Sequence, residues 1–368
     1  MINKSNLFIL LFLISSCGSG GGTSNKSQNY SPVINLSTNL DTQLITKSIT
    51  LSWTAQNVNS CFASADWAGE RPINGSAEVQ ITKLGINTFT LNCNGESGSI
   101  SVSTNVSGYI VQKKIIQQTI SGMLQDREFF IRYPQNPSDN SYPLVFFFHG
   151  AGGSGEGELN RHQAVLNLID EGNFIGIFPS GYQNKWNVSN ESAADDVDFF
   201  RNIINNISSN SIFNLDKVYG IGISNGSGMV NKIGKETYTF KGIAPLISQQ
   251  TVETGNIVPE GVLSVFQVNG DIDDLVPVNG GIGVANTNFM SATASAENWA
   301  SNFSCSMNPD QESLQWGSKT VNAFTFSGCL QNNEVKYFIV QDSGHTIQFN
   351  QDINLFIQIW DFFRAREN

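Results

Sequence analysis

The sequence Gly-Ile-Ser-Asn-Gly at residues 222–226 has the spacing of a serine nucleophile held at a sharp strand-to-helix turn. A serine in such a turn needs small residues two positions away on each side, because larger side chains would collide with the adjoining backbone. Residues 218–221, directly before it, are typical of a strand. In a chain with 34 glycines the pattern can arise by chance, so the assignment of Ser224 depends on finding a base, an acid and an oxyanion site.

Three histidines could act as the base that takes the proton from Ser224. His162 falls inside a predicted helix, where we expect a surface or packing role. His345 follows the last predicted strand, within Asp-Ser-Gly-His-Thr at residues 342–346, where a short turn can place an imidazole at the carboxyl edge of a sheet. We therefore predict His345 as the general base.

The third histidine, His149, ends a run of three phenylalanines and begins the sequence His-Gly-Ala-Gly-Gly. Backbone N–H groups in such a glycine-rich turn can point inward and stabilise an oxyanion. We predict an oxyanion hole formed by Asn225, Gly150 and Ala151. His149 and Trp186 are candidate substrate contacts, although core packing explains Trp186 equally well.

Three carboxylates follow the apolar run 262–268 and could orient the imidazole of His345. We choose Asp273, with Asp274 as the alternative, because Asp271 is better placed to cap the turn through nearby backbone N–H groups. The resulting chain order of serine, acid and histidine is that of the α/β-hydrolase fold, whereas chymotrypsin-like and subtilisin-like enzymes have other orders.

The elements that must position these residues alternate along the second part of the chain. Continuous apolar runs predict strands buried on both faces, at residues 144–148, 174–178, 218–223, 242–247, 262–268 and 335–340. Apolar spacings of three and four predict helices at 160–171, 195–207, 225–238 and 352–366, with Asp195 and Asp196 capping the second of them. Such alternation predicts an α/β fold with a mostly parallel central sheet.

The N-terminus predicts export from the cytoplasm. Lys4 precedes the apolar residues 7–14, and Ser-Ser-Cys-Gly follows at 15–18. This pattern resembles a bacterial lipoprotein signal peptide over 1–16, with Cys17 as the lipidated residue and 17–30 as a flexible tether. The alternative is an ordinary secretion signal cut nearby. We expect the protein to be lipid-anchored to a bacterial membrane, facing the periplasm or the cell exterior, or to be secreted.

Residues 31–107 predict a separate β-domain, and 108–368 the α/β domain. Period-two alternation over 48–53, 77–81, 88–92 and 100–104 is typical of half-buried antiparallel strands. The module resembles the immunoglobulin-like domains of bacterial surface proteins, although Trp53 precedes the first cysteine of the pair instead of lying between the two.

Four cysteines remain once Cys17 is assigned to the lipid. Four cysteines allow three connectivities. We pair Cys61 with Cys93 and Cys305 with Cys329, because each pair then falls within one predicted domain.

A closer resemblance covers residues 115–368. Its motifs are Pro-Leu-Val-Phe-Phe-Phe-His-Gly at 143–150, Phe-Pro-Ser-Gly-Tyr at 178–182, Asp-Asp-Val-Asp-Phe at 195–199 and the segment 216–226. They are similar to those of the secreted esterases that include poly(3-hydroxybutyrate) depolymerases, feruloyl esterases and acetylxylan esterases. The resemblance implies Ser224 as nucleophile, Asp273 as acid and His345 as base. The chain departs from the family pattern at Ser227, at Asn269 and at Ile347. We expect substrate preference to depend on pocket-shaping loops such as 279–288 and 307–320.

The amino-acid composition restricts the kinds of molecule that the protein is expected to bind. The formal net charge of −11 disfavours nucleic acid and anionic lipid headgroups, which require a basic patch. We expect no cofactor and no metal, since the chain lacks H-E-x-x-H and has only 3 histidines. The expected partner is an ester, polymeric or small, bound by a monomer. The alternatives are a binding lipoprotein with a decayed hydrolase domain and a serine peptidase on the same fold.

Overall fold

The computed structural model describes residues 30–135, 137, 141–189, 192–348 and 354–366. The predicted signal peptide, Cys17 and the tether up to residue 29 lie outside these ranges. Within them, no helix has both the length and the hydropathy required to cross a bilayer.

Eight strands before residue 110 form two facing sheets. Strands β1, β3 and β6 form the first sheet, and the second has the order β2-β8-β7-β4-β5. Alternate residues of β3 are buried, as the period-two pattern predicts, and they contact the inner face of the second sheet. The strands are β1 Val33–Thr38, β2 Thr42–Leu44, β3 Ser48–Gln56, β4 Ser60–Ala65, β5 Gly69–Arg71, β6 Asn74–Gln80, β7 Gly85–Gly95 and β8 Gly98–Tyr109.

The disulfide of this sandwich joins neighbouring strands of one sheet. Cys61 on β4 lies directly opposite Cys93 on β7, and the two are bonded as expected. Antibody domains instead link their two sheets through the disulfide. The feature that the module demonstrably shares with immunoglobulin-like domains is therefore the two-sheet arrangement, with Trp53 in edge contact with Trp67 at its core.

The rest of the described chain builds a sheet of ten strands in the order β18-β19-β20-β15-β14-β13-β11-β12-β10-β9. Six neighbouring strands of this sheet run parallel to one another, in the spatial order β20-β15-β14-β13-β11-β12. An antiparallel pair flanks them at each end, β18-β19 on one side and β10-β9 on the other. The strands are β9 Val111–Ile120, β10 Met123–Arg132, β11 Tyr142–Phe148, β12 Ile175–Pro179, β13 Phe213–Ile223, β14 Phe240–Leu246, β15 Ser264–Gly270, β18 Asp310–Trp316, β19 Lys319–Phe326 and β20 Val335–Val340, with a small hairpin of β16 Gly281–Ile282 and β17 Asn288–Phe289.

Helices cover both faces of this sheet, so its parallel strands are buried as their continuous apolar runs predict. Side chains of α3, α4 and α6 join the apolar core on one face, and those of α2 and α7 join the core on the other. The helices are α1 Gly155–Leu159, α2 Gln163–Asp170, α3 Asp196–Ile207, α4 Asn225–Glu236, α5 Val252–Gly255, α6 Ala292–Asn302 and α7 Leu355–Arg364. The predicted fold class, an α/β-hydrolase fold with a mostly parallel sheet, is confirmed.

A single residue, Ile110, separates the sandwich from the ten-stranded sheet. Strand β8 continues past residue 107 to Tyr109, and β9 begins at Val111. The guanidinium of Arg132 lies 3.8 Å from the centre of the Tyr109 ring. Arg132 also donates to both carboxylate oxygens of Asp170, at 2.8 and 2.9 Å. A buried arginine on β10 thus links the end of the sandwich to helix α2.

One prediction about the loops was wrong. Residues 307–320 were expected to form a pocket-shaping loop, but they include β18 at the edge of the large sheet. Most of β18 is exposed, so its sequence lacks the apolar run by which a buried strand is recognised.

Candidate active site

Ser224 lies at the turn between β13 and α4, with φ 56° and ψ −117°. We call this turn, residues 222–226, the elbow. This conformation is rare for a residue with a side chain and marks local strain. A Cβ at Gly222 would lie 2.1 Å from the carbonyl oxygen of Gly226, and one at Gly226 would lie 2.0 Å from that of Phe148. The two glycines therefore permit the close backbone approaches on which this turn depends.

The predicted base and acid meet the serine at this turn. The Oγ of Ser224 lies 2.8 Å from Nε2 of His345, and Nδ1 of the same ring lies 2.7 Å from Oδ2 of Asp273. A carboxylate only accepts hydrogen bonds, so Nδ1 carries the proton and Nε2 can accept from the hydroxyl. The three residues form the continuous relay that nucleophilic catalysis requires.

The carboxylate of Asp273 is fixed by its own turn. Its Oδ1 accepts from the backbone N–H groups of Leu275 and Val276, at 3.0 and 2.9 Å. Asp274 is exposed, and Asp271 accepts from the N–H of Ser343 at 3.2 Å. Of the three carboxylates considered, Asp273 contacts the imidazole. Asp271 instead connects the turn that carries Asp273, the acid turn, to the turn that carries His345, the histidine turn.

The fold brings these residues together because β13, β15 and β20 are parallel and end at the same edge of the sheet. The acid turn follows β15 and the histidine turn follows β20. These turns are pressed together at Gly270, where a Cβ would lie 2.1 Å from the carbonyl oxygen of Ser343.

None of the three predicted oxyanion residues, Asn225, Gly150 and Ala151, donates its N–H to a described acceptor. Asn225 is the first residue of α4, where N–H groups have no partner within the helix. Ala151 lies in the loop after β11, and no described acceptor takes a hydrogen bond from its N–H. The next amide, that of Gly152, is instead engaged by the carbonyl of Asn184 at 2.7 Å. Gly150 and Ala151 both border the cavity that contains Ser224.

The side chain of Asn225 holds the loop after β12. Its Oδ1 accepts from the N–H of Trp186 at 2.7 Å, and its Nδ2 donates to the Trp186 carbonyl at 3.1 Å. The Trp186 indole donates to the carbonyl of His149 at 2.9 Å. These bonds join the oxyanion loop, the elbow and the β12 loop.

His149 and Trp186, the two candidate substrate contacts, are not among the described residues that line the cavity at Ser224. Trp186 is 1% exposed and packs against Phe148, so it belongs to the core. His149 is fully buried; the N–H of Gly181 donates to its Nε2 at 2.9 Å, and its Nδ1 donates to the Gly150 carbonyl at 2.7 Å. Burial lowers the pKa of His149 and favours the neutral ring. The ring nitrogens of His149 and Trp186 are all hydrogen-bonded to backbone groups, so neither side chain has a polar atom left to bind a ligand. Both residues therefore support the loop after β11.

A cavity of about 650 Å³ opens at Ser224 and His345. Most of its apolar wall comes from the segment that follows Asp273, at Leu275, Val276, Val284 and Phe289, with Val188 and Ile247 on other sides. The expected pocket loop at 279–288 therefore does contribute to the wall.

One buried side chain, which sequence reasoning missed, holds this wall. The amide nitrogen of Gln249 donates to the carbonyls of Pro277 and Met290, both at 2.9 Å, and its Oε1 accepts from Asn269 at 2.8 Å. Gln249 and Gln250 are fully buried. Two adjacent glutamines soon after a buried strand were the available sequence signal.

The departures from the esterase pattern are accommodated. The buried Ser227 hydroxyl lies 2.7 Å from the Gly222 carbonyl and 2.6 Å from that of Leu246, so it supports the elbow. Asn269 belongs to the Gln249 network, and Ile347 packs against an apolar core. None of the three lines the cavity.

The two aspartates predicted to cap α3 have different roles. Asp195 caps the helix, accepting from the N–H of Asp198 at 2.8 Å. Asp196 instead forms a buried ion pair with Arg127 and accepts from the N–H of Asn187 at 2.7 Å. It therefore supports the same loop that carries Trp186. Cys305 and Cys329 are bonded as expected, and neither lines the cavity.

Comparison with known proteins finds relatives named as esterases, while no protein-family model matches the chain. A putative esterase, NocK, from Nocardia uniformis subsp. tsuyamanensis is 30% identical over 145 residues, which cover 38% of this chain and 42% of that protein. Feruloyl esterase B from Piromyces equi is 26% identical over 233 residues, covering 60% of this chain and 42% of the relative. The chain thus spans less than half of the length of either protein.

A further relative is matched over more of its length. Probable feruloyl esterase C from Aspergillus clavatus is 25% identical over 228 residues, covering 60% of this chain and 76% of the relative. Among solved structures, the acetyl xylan esterase from Aspergillus awamori aligns with a TM-score of 0.47 at 14% identity, over 68% of this chain and 99% of that one.

Proposed function

We propose that the protein is a serine carboxylic-ester hydrolase that works through an acyl-enzyme. The observation that carries this proposal is the relay of Ser224, His345 and Asp273 at a strained elbow, with bonds of 2.8 and 2.7 Å. The free N–H groups of Asn225 and Ala151 border the same cavity. Relatives named as esterases support the same reaction class.

The geometry suits a two-step reaction. Nε2 of His345 takes the hydroxyl proton as Oγ of Ser224 attacks the ester carbonyl, and Asp273 stabilises the imidazolium. The N–H groups of Asn225 and Ala151 hold the negative oxygen of the tetrahedral intermediate. His345 then protonates the departing alcohol, and the acyl group remains on Ser224. Water, deprotonated by His345, attacks the acyl-enzyme and releases the acid.

Covalent labelling tests the reaction class. A fluorophosphonate probe should attach to Ser224, as located by peptide mass mapping, and Ser224→Ala should not be labelled. Ser209→Ala is the matched control, because Ser209 is exposed and follows the end of α3, away from Ser224. An unlabelled wild-type protein, under conditions where a reference esterase reacts, would contradict the proposal.

For the substrate, we propose polyester or feruloyl and acetyl esters of plant polysaccharide. The names of the relatives support feruloyl esters, and the apolar cavity wall suits an acyl group of that size. Feruloyl, acetylxylan and 3-hydroxybutyrate esters should be assayed side by side. If kcat/KM for all three is no higher than for 4-nitrophenyl acetate, this assignment is wrong.

We further propose that the mature protein lies outside the cytoplasm, anchored by a lipid on Cys17. Two disulfides in the described chain support an oxidising compartment. In a bacterial host, the full chain should partition into the detergent phase, and Cys17→Ser should move it to the aqueous phase. Aqueous partitioning of both would leave secretion as the better explanation.

We propose that the chain is a monomer of two domains, divided close to the predicted boundary at 107–108, where β8 ends at Tyr109 and β9 begins at Val111. The separate core of the sandwich supports this division. Analytical ultracentrifugation of the chain without its signal peptide should give a single species near the 40.2 kDa of the full sequence. A concentration-dependent dimer would contradict the monomer.

A further inference from the structure

We propose that the cavity accepts an ester that carries a free carboxylate, which Lys185 and Arg161 recognise. This inference rests on the proposed ester-hydrolase function and adds the chemical class of the substrate. Both cations line the same cavity as Ser224 and His345. No aspartate or glutamate is among the described residues that line it.

Lys185 is held beside the oxyanion hole by its neighbours in the chain. The carbonyl of Asn184 accepts from the N–H of Gly152, and the backbone of Trp186 exchanges two hydrogen bonds with the side chain of Asn225. Lys185 therefore lies between two residues that are each bonded to an oxyanion-hole segment. The position of its backbone is fixed before any substrate binds.

The ammonium of Lys185 has no carboxylate partner among the described residues, and its side chain is half-buried. A cation in a partly desolvated cavity attracts an anion more strongly than one in bulk water does. A carboxylate on the substrate would satisfy this charge.

Arg161 retains hydrogen-bond donors for an anion. Its closest described carboxylate is that of Glu158, with Nε 3.8 Å from Oε2, which is too long for a hydrogen bond. The other oxygen of Glu158 accepts from Nε2 of His162 at 2.9 Å. Arg161 is about half exposed, so its guanidinium can reach a group at the mouth of the cavity.

The described lining of the cavity contains two cations and no carboxylate, although the whole chain is acidic. The protein carries 31 acidic and 20 basic residues, so its overall field repels anions. Lys185 and Arg161 would therefore attract an anion to the cavity, whereas most of the protein surface would not.

Matched ester pairs test the proposal. The first pair is mono-4-nitrophenyl adipate and 4-nitrophenyl hexanoate, which differ by a carboxylate at the end of the acyl chain. The second is 3-carboxy-4-nitrophenyl butyrate and 4-nitrophenyl butyrate, which differ on the alcohol side. For each pair, the ratio of kcat/KM for the anionic ester to that for the neutral ester is measured in the wild type and in variants.

At low salt, we expect the Lys185→Gln variant to have a ratio about five- to tenfold lower than the wild type for at least one pair. The Lys185→Arg variant should preserve the wild-type ratio. Arg161→Gln should lower it further when combined with Lys185→Gln. Lys241→Gln, which removes an exposed charge on β14, is the control and should leave the ratio unchanged. Raising the ionic strength should reduce the wild-type ratio. The pair that responds shows which side of the ester bond carries the carboxylate.

Ratios that are unchanged by Lys185→Gln in both pairs, with neutral esters still hydrolysed, would overturn this inference alone. If the neutral esters are not hydrolysed and Ser224 is not labelled by the fluorophosphonate, the proposed function fails and this inference fails with it. Thermal unfolding of each variant identifies a loss of fold.

Discussion

The loops after β11 and β20 each present a histidine beside a glycine at the same edge of one sheet, but the two histidines have opposite surroundings. His149 is fully buried, and its ring nitrogens bond to backbone groups of Gly181 and Gly150. The side chain of His345 is 15% exposed, and its nitrogens contact Ser224 and Asp273.

The difference shows that the partners of a histidine determine its chemistry more than its place in the chain does. A ring whose acceptor nitrogen already holds a backbone N–H cannot take a proton from a serine. A carboxylate behind the ring, as at His345, favours the imidazolium that must form during attack. The following predictions separate the two loops experimentally.

The largest effect should come from the β20 loop. We expect His345→Ala to lower kcat for a 4-nitrophenyl ester by about 10⁶-fold, as much as Ser224→Ala, because each breaks the same relay. Steady-state kinetics on both variants and on the double variant measure this. A double variant much slower than either single variant would show that the residues act separately.

Asp273→Asn should have the next largest effect. An amide at this position can donate to Nδ1 and so stabilise the wrong tautomer of His345, and we expect kcat to fall about 10⁴-fold. Asp274→Asn is the matched control, since that carboxylate is exposed. Equal losses in the two variants would mean that Asp273 is not the orienting acid.

In the β11 loop, the main effect should be on stability. His149→Ala leaves the buried N–H of Gly181 without an acceptor, so we expect the free energy of unfolding to fall by about 1–3 kcal/mol. His149→Gln, whose amide oxygen can accept from Gly181, should recover part of that loss. Urea denaturation gives these values. A loss of kcat as large as that of His345→Ala in the folded protein would remove the contrast between the loops.

The smallest effect is a pH dependence of stability. Burial lowers the pKa of His149 below its model-peptide value of 6.5, so the unfolded chain takes up this proton at a higher pH than the folded protein does. The stability contributed by the neutral ring is present above pH 6.5 and is lost as the pH falls from there toward the lowered pKa. The loss between pH 7.5 and about 5 should be smaller in His149→Gln, as urea titrations at each pH can show. Equal losses would contradict a buried neutral His149.

The sequence predicts the main part of this site because each element has a strong local pattern. The six parallel strands are continuous apolar runs, and Ser224, Asp273 and His345 each follow one of them within a few residues. The glycines around Ser224 are required by backbone contacts that hold for any such turn. Fold class and triad geometry can therefore be predicted together.

Other features depend on tertiary contacts that no local pattern reveals. The outer strand β18 is mostly exposed, and α6 consists largely of small and polar residues. The side-chain directions of His149 and Trp186 are set by Gly181 and Asn225, which are distant in sequence. Gln249 is recognisable only when the two carbonyls that it joins are seen side by side.

The double hydrogen bond of Gln249 has a consequence for how such a site can diversify. Because one carboxamide fastens both Pro277 and Met290, the span between them has fixed ends whatever residues it contains. Asp273 lies outside that span and keeps its own backbone bonds. Exchanges of side chains within 278–289 can therefore change the wall of the cavity while Ser224, His345 and Asp273 keep their hydrogen bonds.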